Sequence, residues 1–108
     1  MSDTDKIRAL NDAFRTTGEG GRIVMTRGVQ AQGADTVREI LQLVRDYNRF
    51  TPDDDPYSEH DFGSFAHLGQ EYFWKIDYYS STMQRGSADP ANPQITKRVL
   101  TIMLAQEY

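Results

Sequence analysis

A chain of 108 residues has room for one hydrophobic core, so the sequence predicts a single domain over residues 1–108. Hydrophobic residues make up 38% of the chain and charged residues 26%, a balance that argues against a disordered protein. Cysteine is absent, which excludes disulfides, thiolate catalysis and cysteine-based metal sites. The sequence has no apolar run of membrane-spanning length and no recognisable signal peptide, so we expect a cytoplasmic protein with no membrane partner.

The formal net charge of −4 is unevenly distributed along the chain. Residues 1–50 carry eight Lys and Arg against seven Asp and Glu, whereas residues 51–108 carry four against nine. An acidic second half argues against general binding to nucleic-acid backbones, which usually requires a basic surface. The arginines of the first half keep a specific, arginine-led nucleic-acid interface open as an alternative, with the candidates Arg22, Arg27, Arg38 and Arg45.

The first predicted element is a helix from about Asp3 to Arg15, with Ser2 as its cap and Asp5 in an approximate capping box. One apolar stripe recurs at helical spacing and consists of Ile7, Leu10 and Phe14. Glycines end this helix, and a short strand over about 22–26 follows. The periodicity of apolar residues then predicts a second helix over about 35–48.

An acidic, turn-rich stretch over 51–61 precedes a predicted hairpin, whose strands cover about 62–67 and 71–80. Successive side chains of the second strand point to opposite faces of the sheet. The more apolar face, which we expect to be the core face, carries Tyr72, Trp74, Ile76 and Tyr78. The opposite face carries Phe73, Lys75, Asp77 and Tyr79.

The last predicted element is a helix that begins with Asn92 as its cap and Pro93 at its first position. Its buried stripe would consist of Ile95, Val99, Ile102 and Met103, widened by Leu100 and Leu104. The predicted order of elements is therefore α-β-α-β-β-α. We expect an α+β fold in which helices pack on a small antiparallel sheet of about three strands.

Five carboxylates and one histidine crowd into the segment from Asp53 to Asp61. Such a set could bind a divalent cation, with Glu59, His60 and Asp61 as its ligands. The segment lacks the glycine and the final glutamate of a calcium-binding loop, and Asp and Pro commonly build solvated turns. The sequence therefore favours a loop that binds no metal.

His60 lies between two acidic neighbours, so it is the candidate for a special role in this loop. We expect His60 and Asp61 to lock the loop onto the hairpin. If the protein is an enzyme instead, its catalytic residues would come from Glu59, His60, Asp61 and Asp77. We expect no cofactor, because the glycine-rich segment at 18–21 lacks the lysine of a phosphate-binding loop and leads into a strand.

Two groups of residues are candidates for binding a protein partner. The carboxylates of Asp53, Asp54 and Asp55 would form an exposed acidic patch. Phe73 and Tyr79 would form an apolar patch on the side of the sheet that faces away from the core.

Five stretches of the sequence together resemble an uncharacterised bacterial family, the domain-of-unknown-function 3768 family. They are Ile7–Arg15, Gly21–Gly28, Glu59–Gly63, Phe73–Tyr79 and Arg98–Ala105. The resemblance runs over nearly the whole chain, and it implies no activity that can be assigned to residues. Members of the family are similar in being short and in occurring on plasmids and other mobile elements, which implies accessory work such as blocking host defences.

These features favour a non-enzymatic protein-interaction or inhibitor module. The resemblance implies a mobile-element protein directed against a host defence, of the anti-CRISPR or antirestriction type. Two alternatives stay open. One is a small metal-dependent enzyme centred on Glu59, His60 and Asp61, and the other is the arginine-led nucleic-acid binder.

Overall fold

Residues 2–108 are described by a computed structural model in which helices pack on a four-stranded sheet. Its elements in chain order are α1 (Asp3–Thr17), β1 (Gly21–Met25), α2 (Arg27–Gln30), α3 (Ala34–Arg45), β2 (Phe62–His67), β3 (Gln70–Ser80), β4 (Thr96–Leu104) and a C-terminal 3₁₀ turn (Ala105–Glu107). None of the helices in this part of the chain is long and apolar enough to cross a membrane. The α+β class predicted from the sequence is confirmed.

α1 forms as predicted because both of its ends are capped. The Ser2 hydroxyl accepts a hydrogen bond from the Asp5 amide at 3.1 Å. At the other end Gly18 adopts a φ of +80°, and its amide donates to the Phe14 carbonyl at 2.7 Å. The helix runs two residues past its predicted end, to Thr17.

α2 is a single turn that the sequence pattern does not predict, because four residues cannot show a helical repeat. Thr26 caps it, with its hydroxyl 3.5 Å from the Val29 amide, and the Val29 side chain is fully buried. α3 ends at Arg45, three residues before the predicted end. The last two carbonyls of α3, those of Val44 and Arg45, each accept a hydrogen bond from the Arg15 guanidinium at 2.9 Å.

The four strands lie in the order β1-β4-β3-β2. β1 runs parallel to β4, and the other two pairs are antiparallel. The hairpin of β2 and β3 confirms the prediction, with Gly63 directly opposite Trp74. Only glycine fits at this position, because an added Cβ atom would lie 2.4 Å from the Trp74 indole nitrogen.

The helix predicted after Asn92 is wrong, because Thr96–Leu104 form the strand β4. The Asn92 side chain accepts a hydrogen bond from the Gln94 amide at 3.0 Å in a turn and caps no helix. The apolar residues of β4 occupy both faces of the strand, and such a run imitates the three- and four-residue spacing of a helix. The sheet is therefore mixed and has four strands, where about three antiparallel strands were expected.

The helices and one face of the sheet share a single hydrophobic core. The sheet contributes Tyr72, Trp74, Ile76, Leu100, Ile102 and Leu104, and the helices contribute Phe14, Val29, Ile40 and Val44. The predicted core face of β3 is confirmed for Tyr72, Trp74 and Ile76, none of which is more than 3% exposed. The fourth residue of that face, Tyr78, is half-buried and directs its hydroxyl toward polar groups.

All three helices bury their apolar side chains against this inward face. The opposite side of the sheet, which we call the open face, has none of the described helices α1, α2 and α3 packed on it; Tyr108 lies against one end of it, and Met103 on this face is only 4% exposed. The register of the strands assigns to it Arg22, Val24, Phe62, Ser64, Ala66, Glu71, Phe73, Lys75, Asp77, Tyr79, Lys97, Val99, Thr101 and Met103.

Candidate functional site

The acidic loop over residues 51–61 is attached to α1 through His60. The His60 Nδ1 atom lies 2.8 Å from the Asp12 Oδ1 atom, and its Nε2 atom lies 3.7 Å from Asp55 Oδ2. The His60 amide donates to Asp55 Oδ1 at 3.1 Å. His60 adopts a φ of +55°, an uncommon conformation for a residue with a side chain, and these bonds hold it there.

The His60 ring also packs on the edge of the core. It is stacked on the Phe50 ring with 3.7 Å between centroids and 3° between planes. Phe50 meets the Trp74 ring edge-on at 6.1 Å, and the Arg15 guanidinium lies 5.4 Å from the centre of each of these two rings. One histidine therefore connects the loop, α1 and the core.

A second group of polar side chains, the polar cluster, lies beside the loop and consists of Asn11, Glu59, Asp61, Tyr78 and Arg98. Asn11 is fully buried at its centre. The Asn11 amide nitrogen donates to the Glu59 carbonyl at 2.9 Å and to the Tyr78 hydroxyl at 2.8 Å, and its Oδ1 atom accepts from Arg98 Nε at 2.8 Å. The Tyr78 hydroxyl lies 3.1 Å from Glu59 Oε1 and 3.5 Å from Asp61 Oδ2.

Burial dominates the electrostatics of the polar cluster. Burial, with repulsion from the Glu59 carboxylate as the next cause, raises the pKa of Asp61 to about 6. Burial also raises the pKa of the Tyr78 hydroxyl and lowers the pKa of the Arg98 guanidinium. At neutral pH Tyr78 is therefore a neutral hydrogen-bond donor held between two carboxylates.

Of the four catalytic candidates, only the Glu59 and Asp61 side chains share a partner, and the side chains of His60 and Asp77 lie apart from them. Glu59 and Asp61 both approach the Tyr78 hydroxyl, while the His60 ring turns toward α1. The Asp77 side chain lies on the open face of β3, where it pairs with Lys75 at 2.8 Å. The structure therefore does not bring Asp77 to the other three.

His60 holds the loop in place, but its ring contacts Asp12 of α1 and Phe50, so the expectation that it locks the loop onto the hairpin is wrong. The contact with the hairpin is made by the Asp61 carbonyl, which accepts a hydrogen bond from the Ile76 amide of β3 at 2.8 Å. The His60 Nδ1 atom is engaged with the Asp12 carboxylate, whereas the Nε2 atom lies 3.7 Å from Asp55 Oδ2, beyond hydrogen-bond distance. A cavity of about 260 Å³ opens beside His60, but Glu59 and Asp61 do not line it. Within the described part of the chain, no three His, Asp or Glu side chains are arranged to hold a metal ion.

The three consecutive aspartates of the loop have different surroundings. Asp53 is exposed and Asp54 is half-buried. Asp55 is only 6% exposed, and its carboxylate bonds His60 within the protein. The expectation of an exposed patch formed by all three residues is therefore wrong for Asp55, because its charge is used to close the loop.

Phe73 and Tyr79, the two aromatic candidates for partner binding, both lie on the open face, as expected. Phe73 lies 5.3 Å from Phe62 and meets the Tyr108 ring edge-on at 5.5 Å. Tyr108 is itself 75% exposed. Tyr79 stands directly opposite Lys97 of β4. The C-terminal tyrosine thus extends the aromatic surface beyond the strands.

The four arginines of the nucleic-acid alternative do not share one surface. Arg22 lies on the open face, whereas Arg38 and Arg45 belong to α3, which packs on the opposite side of the sheet. Arg38 also pairs with Asp35. A continuous basic interface through these arginines is therefore absent from the described residues.

Sequence reasoning missed Asn11 and Arg98. Asn11 lies four residues after Ile7 and three before Phe14, within the apolar stripe of α1. A polar residue at such a position indicates a buried hydrogen-bond network, and this signal was available in the sequence. Arg98 occupies an inward position of β4, which is recognisable only once that segment is known to be a strand.

The model of one protein family, described as "Protein of unknown function (DUF3768)", matches residues 25–107 of the chain. The matched region covers most of the sequence, including the acidic loop, the hairpin and β4, and it begins after α1. No curated protein and no solved structure matches the chain.

Proposed function

The chain belongs to this family of unknown function, DUF3768, and we propose that it is a non-enzymatic module that binds a protein partner through the open face of its sheet. One observation carries the proposal: the helices cover one side of the sheet only. The uncovered side of such a sheet is normally polar, because it faces water. Here it combines charged residues with aromatic and aliphatic ones.

The apolar part of the open face is concentrated in an aromatic group formed by Phe62, Phe73 and Tyr108. Tyr108 meets both phenylalanines edge-on, at 6.2 Å and 5.5 Å between centroids. Its ring is 75% exposed, so it is available to a partner. Aromatic side chains commonly provide the anchors of protein interfaces, because each buries a large apolar area at a small cost in conformational entropy.

Charged residues border this aromatic group. Lys75 and Asp77 form an ion pair on the neighbouring part of β3, and Glu71 lies on the same face of that strand. A polar rim around an apolar centre is the usual arrangement of a transient protein interface. The mixed signs favour a protein partner over a nucleic acid, because carboxylates repel phosphates.

The polar groups around the acidic loop support a module more than an enzyme. His60 Nδ1 contacts the Asp12 carboxylate, and the Asp55 carboxylate accepts from the His60 amide. The Asn11 amide nitrogen donates to the Glu59 carbonyl. A catalytic group needs a free position toward its substrate. A metal-dependent reaction would need ligands beyond Glu59, His60 and Asp61.

Within this class we infer an inhibitor of a host defence system, encoded on a mobile element and acting in the cytoplasm. The support for this finer role is the resemblance to a family common on mobile elements, together with the small size of the chain. A small protein with one partner-binding face can inhibit a larger protein by covering a functional site on it.

The test is to capture partners with the tagged protein in cells of a native host and to compare variants of equal stability. Tyr108→Asp and Phe73→Asp change the aromatic group, and Leu43→Asp is the matched control, because Leu43 is an exposed apolar residue of α3. We expect the first two to lose a partner that the control keeps. A partner that survives both changes but is lost with Asp53→Asn would place the interface on the acidic loop instead.

A further inference from the structure

A cavity of about 540 Å³ lies where β1 begins beside β4. Its walls are the backbone of Gly20 and Gly21, the turns at 81–83 and 93–94, and the first residues of β4. It lies at the opposite end of β4 from the aromatic group, because Phe73 stands opposite Met103. The loop around His60 does not contribute to it.

The ionisable side chains that line this cavity are all basic, in a chain whose net charge is −4. Arg98 is engaged, since it donates to Asn11 and to the Pro90 carbonyl. Arg22 and Lys97 are exposed, and no carboxylate of residues 2–108 lies within 4.0 Å of either charged group. Other cations of the chain, such as Arg8 and Lys75, pair with acidic neighbours.

Two glycines, Gly20 and Gly21, form one wall of the cavity. Gly20 adopts a φ of +105°, which disfavours any residue with a side chain. At Gly21 an added Cβ atom would lie 2.5 Å from the Arg98 carbonyl oxygen and 2.7 Å from the Phe14 ring. The fold itself therefore requires glycine at both positions, at Gly20 through its backbone conformation and at Gly21 through the space that Arg98 and Phe14 occupy, and both residues contribute only main chain to the cavity wall.

We propose that this basic cavity binds a small molecule that carries an oxyanion, either a phosphate ester or a carboxylate. The Arg22 guanidinium offers a planar fork of donors that fits two oxygens of one such group, and the Lys97 ammonium adds a point charge. Met83 and Val99 provide apolar contacts for the remainder of the ligand. The volume lies within the range of about 300–1,000 Å³ that is usual for small-molecule sites.

Arg22, Lys97 and Val99 belong to the open face, but they lie at the end of β4 away from the aromatic group, so small-molecule binding here can be tested separately from protein binding there. The test is calorimetric titration of the full chain at low salt with three probes: adenosine 5′-monophosphate, inorganic pyrophosphate and citrate. We expect saturable, one-to-one binding of at least one probe. Preference for the first two identifies a phosphate ligand, and preference for citrate identifies a carboxylate ligand.

Two variants and one control connect the binding to the cavity. Arg22→Gln and Lys97→Gln should each weaken binding about tenfold or more, as expected for the loss of a charge-assisted hydrogen bond. Arg27→Gln should leave it unchanged, because Arg27 is also exposed but lies in α2, outside the cavity. All three changes are on the surface, and thermal melts will verify that each variant folds.

Either of two results would overturn the proposal. One is the absence of saturable binding by all three probes. The other is an equal loss of affinity in the Arg27→Gln control, which would mean that the probes respond only to the overall charge of the surface.

Discussion

The His60 Nδ1 atom lies 2.8 Å from the Asp12 Oδ1 atom, although 48 residues separate the two in the chain. This contact attaches the acidic loop to α1, and the stacking of His60 on Phe50 attaches the same ring to the core. His60, the residue that looked most like a catalyst in the sequence, therefore has a structural role: it holds the acidic loop in place. Its local neighbours Glu59 and Asp61 belong to a different set of bonds, around Tyr78.

Replacing His60 by Ala should lower the free energy of unfolding by about 1–3 kcal/mol, because the change removes the contact between the ring and the Asp12 carboxylate together with the stacking on Phe50. Chemical denaturation at pH 7 measures the loss. His67→Ala is the matched control: His67 Nε2 lies 2.8 Å from Glu39, but that carboxylate is largely exposed, so the expected loss is under about 1 kcal/mol. Equal losses of unfolding free energy in the two variants would contradict a special role of His60 in holding the loop.

Asp55 and Asp53 should respond very differently to the same substitution. Asp55→Ala leaves the His60 amide without its acceptor inside the protein, and we expect a loss of about 1–3 kcal/mol. Asp53→Ala removes an exposed charge and should change stability by no more than about 0.5 kcal/mol. Thermal and urea melts of the two variants, measured side by side, test this difference. Similar stabilities would show that Asp55 does not close the loop.

Trp74→Ala should cost about 3–5 kcal/mol, enough to unfold a marginal domain, because the indole is fully buried between the sheet and the helices. Phe73→Ala, on the open face of the same strand, should cost clearly less. Circular dichroism and denaturant melts distinguish the two. If the Phe73 variant were the less stable one, the assignment of the two faces would be reversed.

Local periodicity predicted the parts of the fold whose pattern is unambiguous. α1 shows helical spacing with a cap at its start, and β3 alternates apolar and mixed residues, so its core face was recognisable through Trp74 and Ile76. β4 was mistaken for a helix because apolar residues occur on both of its faces, Leu100 and Ile102 inward and Val99 outward. Periodicity alone cannot separate such a strand from a buried helix.

The candidate site was predictable only in part, for a different physical reason. The sequence places Glu59, His60 and Asp61 side by side, but consecutive residues point in different directions and acquire different partners. Those partners, Asp12 and Asn11, come from α1 and depend on how the loop folds back. No local pattern encodes such a tertiary contact.

Random-sequence duplex DNA should not bind more tightly than about a micromolar at physiological salt. The candidate arginines lie on opposite sides of the sheet, and the acidic second half of the chain opposes the phosphate backbone. A fluorescence anisotropy titration at two salt concentrations provides the measurement. Tighter binding that weakens steeply as the salt concentration rises would favour the arginine-led alternative.

The contribution of Asp61 to the stability of the protein should fall as the pH rises from about 4 to about 6. Burial and the Glu59 carboxylate raise the pKa of Asp61 to about 6, whereas an aspartate in an unfolded chain has a pKa of about 3.9. Between these values the folded protein binds more protons than the unfolded chain, so each increase in pH favours unfolding. At neutral pH Asp61 is charged in the folded protein, and the burial of this charge lowers the free energy of unfolding.

Asp61→Asn removes this cost while it keeps the size of the side chain and the backbone bond from the Ile76 amide to the residue 61 carbonyl, 2.8 Å long. We expect the variant to be about 1–2 kcal/mol more stable than the wild type at pH 7, a value reduced from the full shift because the site is partly open to water. The difference should shrink toward pH 4, where the wild-type carboxyl is protonated in the folded state. Urea melts from pH 4 to pH 8 measure it. A variant less stable than the wild type at pH 7 would show that the Asp61 carboxylate itself holds the loop, and that its charge stabilises the polar cluster.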